Sequence, residues 1–115
     1  MSDIVDEFNA YHSKMNDKIL GEKSKLIKRI FNLDSNAYQA GTLDHKTKEL
    51  LGLVASTVLR CDDCIQYHLE ECHKEKIPKA AVIESLEIAT LVGRTIVIPH
   101  LREAFEYWEA LEQKE

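Results

Sequence analysis

The chain has 115 residues, room for one domain (1–115), with 44% hydrophobic and 30% charged residues and a net charge of −5, a balance suited to a solvated globular protein. There is no Lys/Arg cluster with interleaved aromatics, which argues against nucleic acid as a partner. The longest uncharged run, residues 50–59, has ten residues, about half of a bilayer span.

Met1-Ser2-Asp3-Ile4-Val5-Asp6-Glu7 is acidic and has no basic stretch followed by an apolar one, so it does not read as an export signal. With three cysteines and no such signal, a cytoplasmic, reducing location is expected. There a close Cys pair is redox-active, catalytic or metal-binding rather than a staple.

Four Gly, two Pro and almost no period-two alternation predict helix nearly throughout. A first helix over about residues 3–20 carries Ile4, Phe8, Tyr11, Met15 and Ile19 at helical spacing, and Gly21 interrupts it. A second covers about residues 23–31. Asp34, Ser35, Asn36 and Gly41 suggest a polar connector over residues 32–42. Asp44 is a suitable N-cap for a third helix reaching about residue 60. Its interior, residues 50–59, is apolar or small on every side and predicts burial all round, with Gly52, Ala55 and Ser56 admitting close neighbours.

A fourth helix begins near Cys61 or Asp62 and runs to about residue 76, and Pro78 marks the break. A fifth, over about residues 79–91, has Val82, Leu86, Ala89 and Val92 as its apolar stripe. Thr95-Ile96-Val97-Ile98, between Gly93 and Pro99, is β-branched, but a lone strand has nothing to pair with. It reads as the end of one helix or the start of the next. The last helix, about residues 99–112, carries Leu101, Phe105, Trp108 and Leu111. The expected fold is all-α, a compact bundle of about six helices.

Chemistry concentrates in Arg60-Cys61-Asp62-Asp63-Cys64-Ile65-Gln66-Tyr67-His68. Two cysteines three apart at a helix start share one face of its first turn, with Cα atoms roughly 5–6 Å apart, a span a disulfide can bridge. The helix N-terminus favours thiolate over thiol, while Asp62 and Asp63 oppose it. His68, four residues after Cys64, stacks one turn below it. An imidazole there can take the thiol proton and then steady the thiolate. Glu49, on the preceding helix, can orient or recharge that imidazole.

Glu49, Cys61, Cys64 and His68 carry a resemblance. A Glu twelve before the first Cys, a second Cys three later and a His four after that make this chain similar to the peroxidase branch of the alkylhydroperoxidase D-like, or carboxymuconolactone decarboxylase, family. Gly93 followed by Pro99 also resembles the family, and the likeness covers roughly residues 31–104. The resemblance implies that Cys64 is the peroxidatic thiol, Cys61 resolves its sulfenic acid to a disulfide, and Glu49 with His68 relays the proton. It further implies a peroxide or disulfide substrate, an external thiol donor, no cofactor, and a homo-oligomer, with a hexamer favoured over a trimer. The chain departs from the pattern at Asp63, where peroxidase members often carry a second His; an acid there disfavours the thiolate. The lactone decarboxylase branch lacks the cysteine pair, so decarboxylation is discounted.

Other readings compete. Cys61, Cys64 and His68 are good zinc ligands, but Cys72 lies roughly 12 Å further along the helix, too far to complete a tetrahedral site. The cysteines could instead be structural, or serve a non-enzymatic redox-sensing or scaffold subunit. A thioredoxin fold lacks its βαβ pattern here. Cys72 reads as a small buried hydrophobe, Ile65 and Tyr67 as packing residues, and His12, His45, His73 and His100 as surface or structural histidines without placed partners.

Overall fold

The computed structural model describes residues 3–115. Met1 and Ser2, which open the acidic N-terminal segment, lie outside the described residues. Among the described residues the elements are six α-helices and one 3-10 turn, with no strand: α1 (Ile4–Gly21), α2 (Lys25–Ala37), α3 (His45–Val58), α4 (Asp62–Lys74), α5 (Lys79–Gly93), the 3-10 turn Arg94–Val97, and α6 (Ile98–Gln113). The all-helical expectation holds. The chain divides into two compact units, one reaching Gln39 and one spanning Ala40–Glu115.

In the first unit, Ser24 caps α2 by accepting a hydrogen bond from the Ile27 N–H at 3.3 Å. The helix runs on through Asp34, Ser35 and Asn36, which the sequence had suggested as connector. No Gly or Pro interrupts residues 25–40, and polar turn formers on a solvent-facing helix compete only weakly with its backbone bonds. No residue of α2 is buried, and Leu26, Ile30 and Leu33 are among the exposed large hydrophobics.

The second unit is organised around α3, which packs on both α4 and α5, while α6 covers α4. Asp44 caps α3 as expected, its carboxylate accepting from the Thr47 N–H at 2.8 Å, and Thr47 holds that carboxyl below its usual range. Glu49, Gly52, Leu53, Ser56 and Thr57 face inward. The expectation that α3 is buried all round fails, because Leu51 and Ala55 lie exposed on its other face. Two neighbouring helices cover only part of its circumference.

Both α3 and α4 end in the same left-handed cap. After α3, Arg60 takes φ 60°, its N–H donates to Thr57, and the Cys61 N–H reaches back to Ser56. After α4, Lys76 takes φ 59°, its N–H donates to His73, and the Ile77 N–H reaches Cys72. These bonds satisfy the last carbonyls of each helix. Pro78 then opens α5 as its N-cap residue.

The β-branched run resolves into the 3-10 turn and the first residue of α6. Gly93 is required there for space: a Cβ would sit 2.4 Å from Val97 Cγ2 and 3.9 Å from the Val58 Cα of α3. The unusual backbone falls on the next residue, Arg94, at φ 71° and ψ −162°, a region nearly reserved for glycine.

Leu53, Ile65, Leu69, Cys72, Val82, Leu86, Ala89, Val97, Ala104, Tyr107, Trp108 and Leu111 form the core of this unit. Each large side chain there contributes about 1.5–3 kcal/mol relative to exposure. Several expected stripe positions turn outward, Val92 at 63% exposed and Phe105 at 39%. Tyr107, assigned no role from the sequence, is fully buried on α6. Its hydroxyl donates to Glu70 Oε1 at 3.0 Å, and burial together with the Glu70 carboxylate pushes that hydroxyl well above the ordinary tyrosine range.

Two substitutions test these backbone assignments in opposite directions by urea denaturation. Gly93→Ala should lower stability by roughly 1–3 kcal/mol, since Val97 is stiff at χ1 and fully buried. Arg60→Gly should raise it by about 1 kcal/mol by relieving the left-handed residue. An unchanged midpoint for the first or a loss for the second would show that the corner is built differently.

Candidate active site

Cys61 is the N-cap of α4, and its Sγ accepts a hydrogen bond from the Cys64 N–H at 3.3 Å. The sulfur thus meets one of the orphan donors of the helix start, where negative charge is favoured. Cys61 and Cys64 are joined as a disulfide, with Cα atoms 5.3 Å apart, as the helical spacing predicted. Cys64 is exposed and Cys61 half-buried.

One turn further along α4 lies His68, only 6% exposed. Its Nδ1 is 2.9 Å from Glu49 Oε1 on α3, and Glu49 is 1% exposed. A carboxylate at that oxygen accepts only, so the imidazole donates from Nδ1. The four residues singled out in the sequence therefore form two pairs, Cys61 with Cys64 at the start of α4 and His68 with Glu49 between α4 and α3. Tyr67, read as a packing residue, packs its ring T-shaped against the His68 imidazole at 5.2 Å between centroids while remaining 41% exposed.

The remaining cysteine behaves differently. Cys72 is fully buried and unbonded. Burial, with the nearby Glu49 and Glu71 carboxylates adding to it, pushes its thiol up to about 12. It stays protonated at neutral pH and is a poor nucleophile.

The histidines expected to lack placed partners all have them. His12 Nδ1 lies 2.8 Å from the Phe8 carbonyl. His73 Nε2 pairs with Glu115 at 2.5 Å. His45 Nε2 stands 3.7 Å from both Glu49 Oε2 and Glu75 Oε2. His100 Nδ1 meets Asp62 Oδ1 at 2.7 Å. The His45–Glu49 relation, four apart on one helix, was legible from spacing; the His100–Asp62 contact joins residues 38 apart and had no sequence signal.

Among the described residues, the donors close enough to share a cation are those of His45, Glu49 and Glu71, within 4.8 Å of one another. They are not the Cys61, Cys64 and His68 set weighed as zinc ligands. An apolar groove of about 450 Å³ runs between α5 and α6, lined by Ile83, Leu86, Leu91, Ile98, Leu101 and Phe105. None of the four site residues lines it.

Comparison with known proteins bears on this arrangement. The sequence profile of the carboxymuconolactone decarboxylase family matches residues 25–109. Two crystal structures of a Thermotoga maritima protein superpose closely. One is 51% identical with TM-score 0.91, covering 94% of this chain and 95% of that one. The other is 50% identical with TM-score 0.89, covering 93% and 91%; it is described as a carboxymuconolactone decarboxylase family protein with a suggested part in the antioxidative response. An apo family member from Legionella pneumophila is 25% identical with TM-score 0.87, covering 96% and 98%. No curated protein matches the chain in sequence. A profile spanning most of the chain, and a half-identical structure overlaying nearly all of it, place this protein in the carboxymuconolactone decarboxylase family.

Proposed function

We propose that the protein is a thiol-dependent peroxidase or disulfide reductase of the alkylhydroperoxidase D-like kind, working in the cytoplasm without a prosthetic group. The observation that carries this reading is the buried Glu49–His68 pair one turn below an exposed Cys64 that is bonded to Cys61. The antioxidative role suggested for the Thermotoga maritima relative supports it.

The chemistry runs as follows. With Nδ1 committed to Glu49, proton exchange with Cys64 falls to His68 Nε2. Cys64 yields its proton to His68 and attacks a peroxide oxygen as thiolate. The O–O bond breaks, Cys64 becomes a sulfenic acid, and the departing alkoxide takes the proton from the imidazolium as an alcohol. The Cys61 thiol then displaces hydroxide from the sulfenic sulfur, giving the disulfide and water. Two electrons and two protons from an external dithiol restore the pair. Exposure favours Cys64 over Cys61 as the attacking sulfur.

The functional unit in this reading is a homo-oligomer, a hexamer or, failing that, a trimer. Leu26, Ile30 and Leu33 on α2 and Leu51 on α3 are 53–68% exposed in the single chain, and exposed apolar side chains grouped on a helix mark interfaces.

One equivalent of peroxide added to the reduced protein should remove two free thiols, leave Cys72 unmodified, and be reversed by dithiothreitol. With a thiol donor present, peroxide consumption should continue over many turnovers. A single stoichiometric burst would favour the redox-sensing reading instead, and a bond mapped to Cys72 would refute the pairing.

The relay is tested separately. Glu49→Gln and His68→Gln should each slow disulfide formation by roughly 10²-fold, and the double variant should be little worse than either, since residues acting as one unit are non-additive. Circular dichroism should accompany these rates, because unpairing a buried charge also costs stability. A folded Glu49→Gln protein that reacts as fast as wild type across the pH range would remove Glu49 from the mechanism.

A further inference from the structure

His100 has no part in the reaction proposed above, yet it is tied to the dithiol loop. It sits in the first turn of α6, beside Pro99, and its Nδ1 lies 2.7 Å from Asp62 Oδ1. Asp62 is the first residue of α4, next to Cys61 in the chain. The side chains are 22% and 37% exposed, so the contact is partly shielded from water. Asp62 as a carboxylate accepts only, so the imidazole donates through Nδ1.

When the disulfide opens, charge must develop at Cys61, both as it leaves during reduction and as it attacks the sulfenic acid. Its sulfur already lies at the start of α4, against the Cys64 N–H. Asp62 and Asp63 in that first turn add like charge and, as first-turn acids, draw on the same unpaired N–H groups. The charged and titratable groups flanking the pair include Arg60 before α4, Asp62, Asp63 and His68 on it, Glu49 on α3, and on α6 both His100 and Tyr107, whose hydroxyl feels the Asp63 charge. Of these, His100 is the one that bonds an acid adjacent to Cys61.

We propose that His100 is a positioning residue for the dithiol, drawing the Asp62 carboxylate onto α6 and offsetting its charge so that Cys61 can carry the negative charge. Each sulfur then has an imidazole of its own. His68 serves Cys64 directly by helical spacing, and His100 serves Cys61 through Asp62. An imidazole delivered from α6 thereby supplies a hydrogen-bond donor to the first turn of α4 from another element. The inference rests on the dithiol reading above, but it concerns the acidity of one thiol and can be measured without peroxide.

The test uses a Cys64→Ser background, in which Cys61 is the accessible thiol and buried Cys72 stays protonated. Alkylation by iodoacetamide is followed against pH. His100→Ala should shift the Cys61 profile upward by roughly half a unit to one unit, a threefold to tenfold slower reaction at neutral pH. His100→Asn, whose amide can donate from nearly the position of Nδ1, should restore most of the rate. Asp62→Asn should speed alkylation, and adding His100→Ala to it should change nothing further.

In the intact dithiol, at pH values above the Cys61 titration, His100→Ala should move the equilibrium with glutathione toward disulfide, by up to about 30 mV for a tenfold change. A profile unmoved by His100→Ala, or moved equally in the Asp62→Asn background, overturns the inference whatever the peroxidase result. A profile that moves as expected in a protein that does not turn over peroxide would leave His100 in place and count against the peroxidase reading alone. Should His100→Ala fold poorly, His100→Asn against His100→Gln, which places its amide beyond Nδ1, gives the same contrast.

Discussion

One left-handed residue, Arg60, passes the chain from α3 to α4, and the geometry of the dithiol follows from it. Because Arg60 closes the last turn of α3, Cys61 follows at once as the N-cap of α4. No slack separates the two helices. The same backbone therefore closes one helix with the Cys61 N–H and opens the next with the Cys61 sulfur. A longer connector would free the relative angle of the helices, and with it the meeting of Glu49 on one and His68 on the other. That residues of a charged, long side-chain type carry φ near 60° at the ends of α3 and α4, without glycine, indicates that tertiary packing holds these corners against a local cost of about 1–2 kcal/mol each.

Packing of α3 on α4 brings a carboxylate and an imidazole into a dry interior, where each alone would be costly. Together they satisfy one another at 2.9 Å. The pair fixes which imidazole nitrogen bonds the carboxylate and leaves Nε2 as the other ring nitrogen. Burial acts in the opposite sense on Cys72, two turns beyond Cys64 on the same helix. There the environment suppresses the thiolate. One helix thus holds an exposed, disulfide-bonded sulfur at its start and a buried, protonated one in the core, from the same residue type.

The family profile spans α2 through most of α6, and the Thermotoga maritima structure overlays nearly the whole chain. Within such a fold, function depends on the polar dressing of the site rather than on the fold itself. Here that dressing is two acids between the cysteines, one of them bonded by a histidine from α6. Among the described residues no helix is long and apolar enough to cross a membrane.

Local information determined much of this protein. Capping at Asp44, the break at Pro78, helix starts and the Cys61–Cys64–His68 register are properties of residues three or four apart, and a helix with no competing strand partner realises them faithfully. Where the sequence misled, the missing term was nonlocal or depended on neighbours. Asp34 to Asn36 looked like a connector, yet nothing nearby stopped the helix. The apolar run of α3 looked buried all round, yet two packed helices cannot cover a third completely. Phe105, read as core or subunit interface, is 39% exposed, and Tyr107, assigned no role from the sequence, is buried with its hydroxyl on Glu70. The partnership of Glu49 with His68 was suggested by resemblance, but its bond and burial required α3 and α4 to be docked. The contact of His100 with Asp62 had no trace in the sequence at all. Helical periodicity constrains residues within one helix, whereas a contact across 38 residues exists only once α6 is laid against α4.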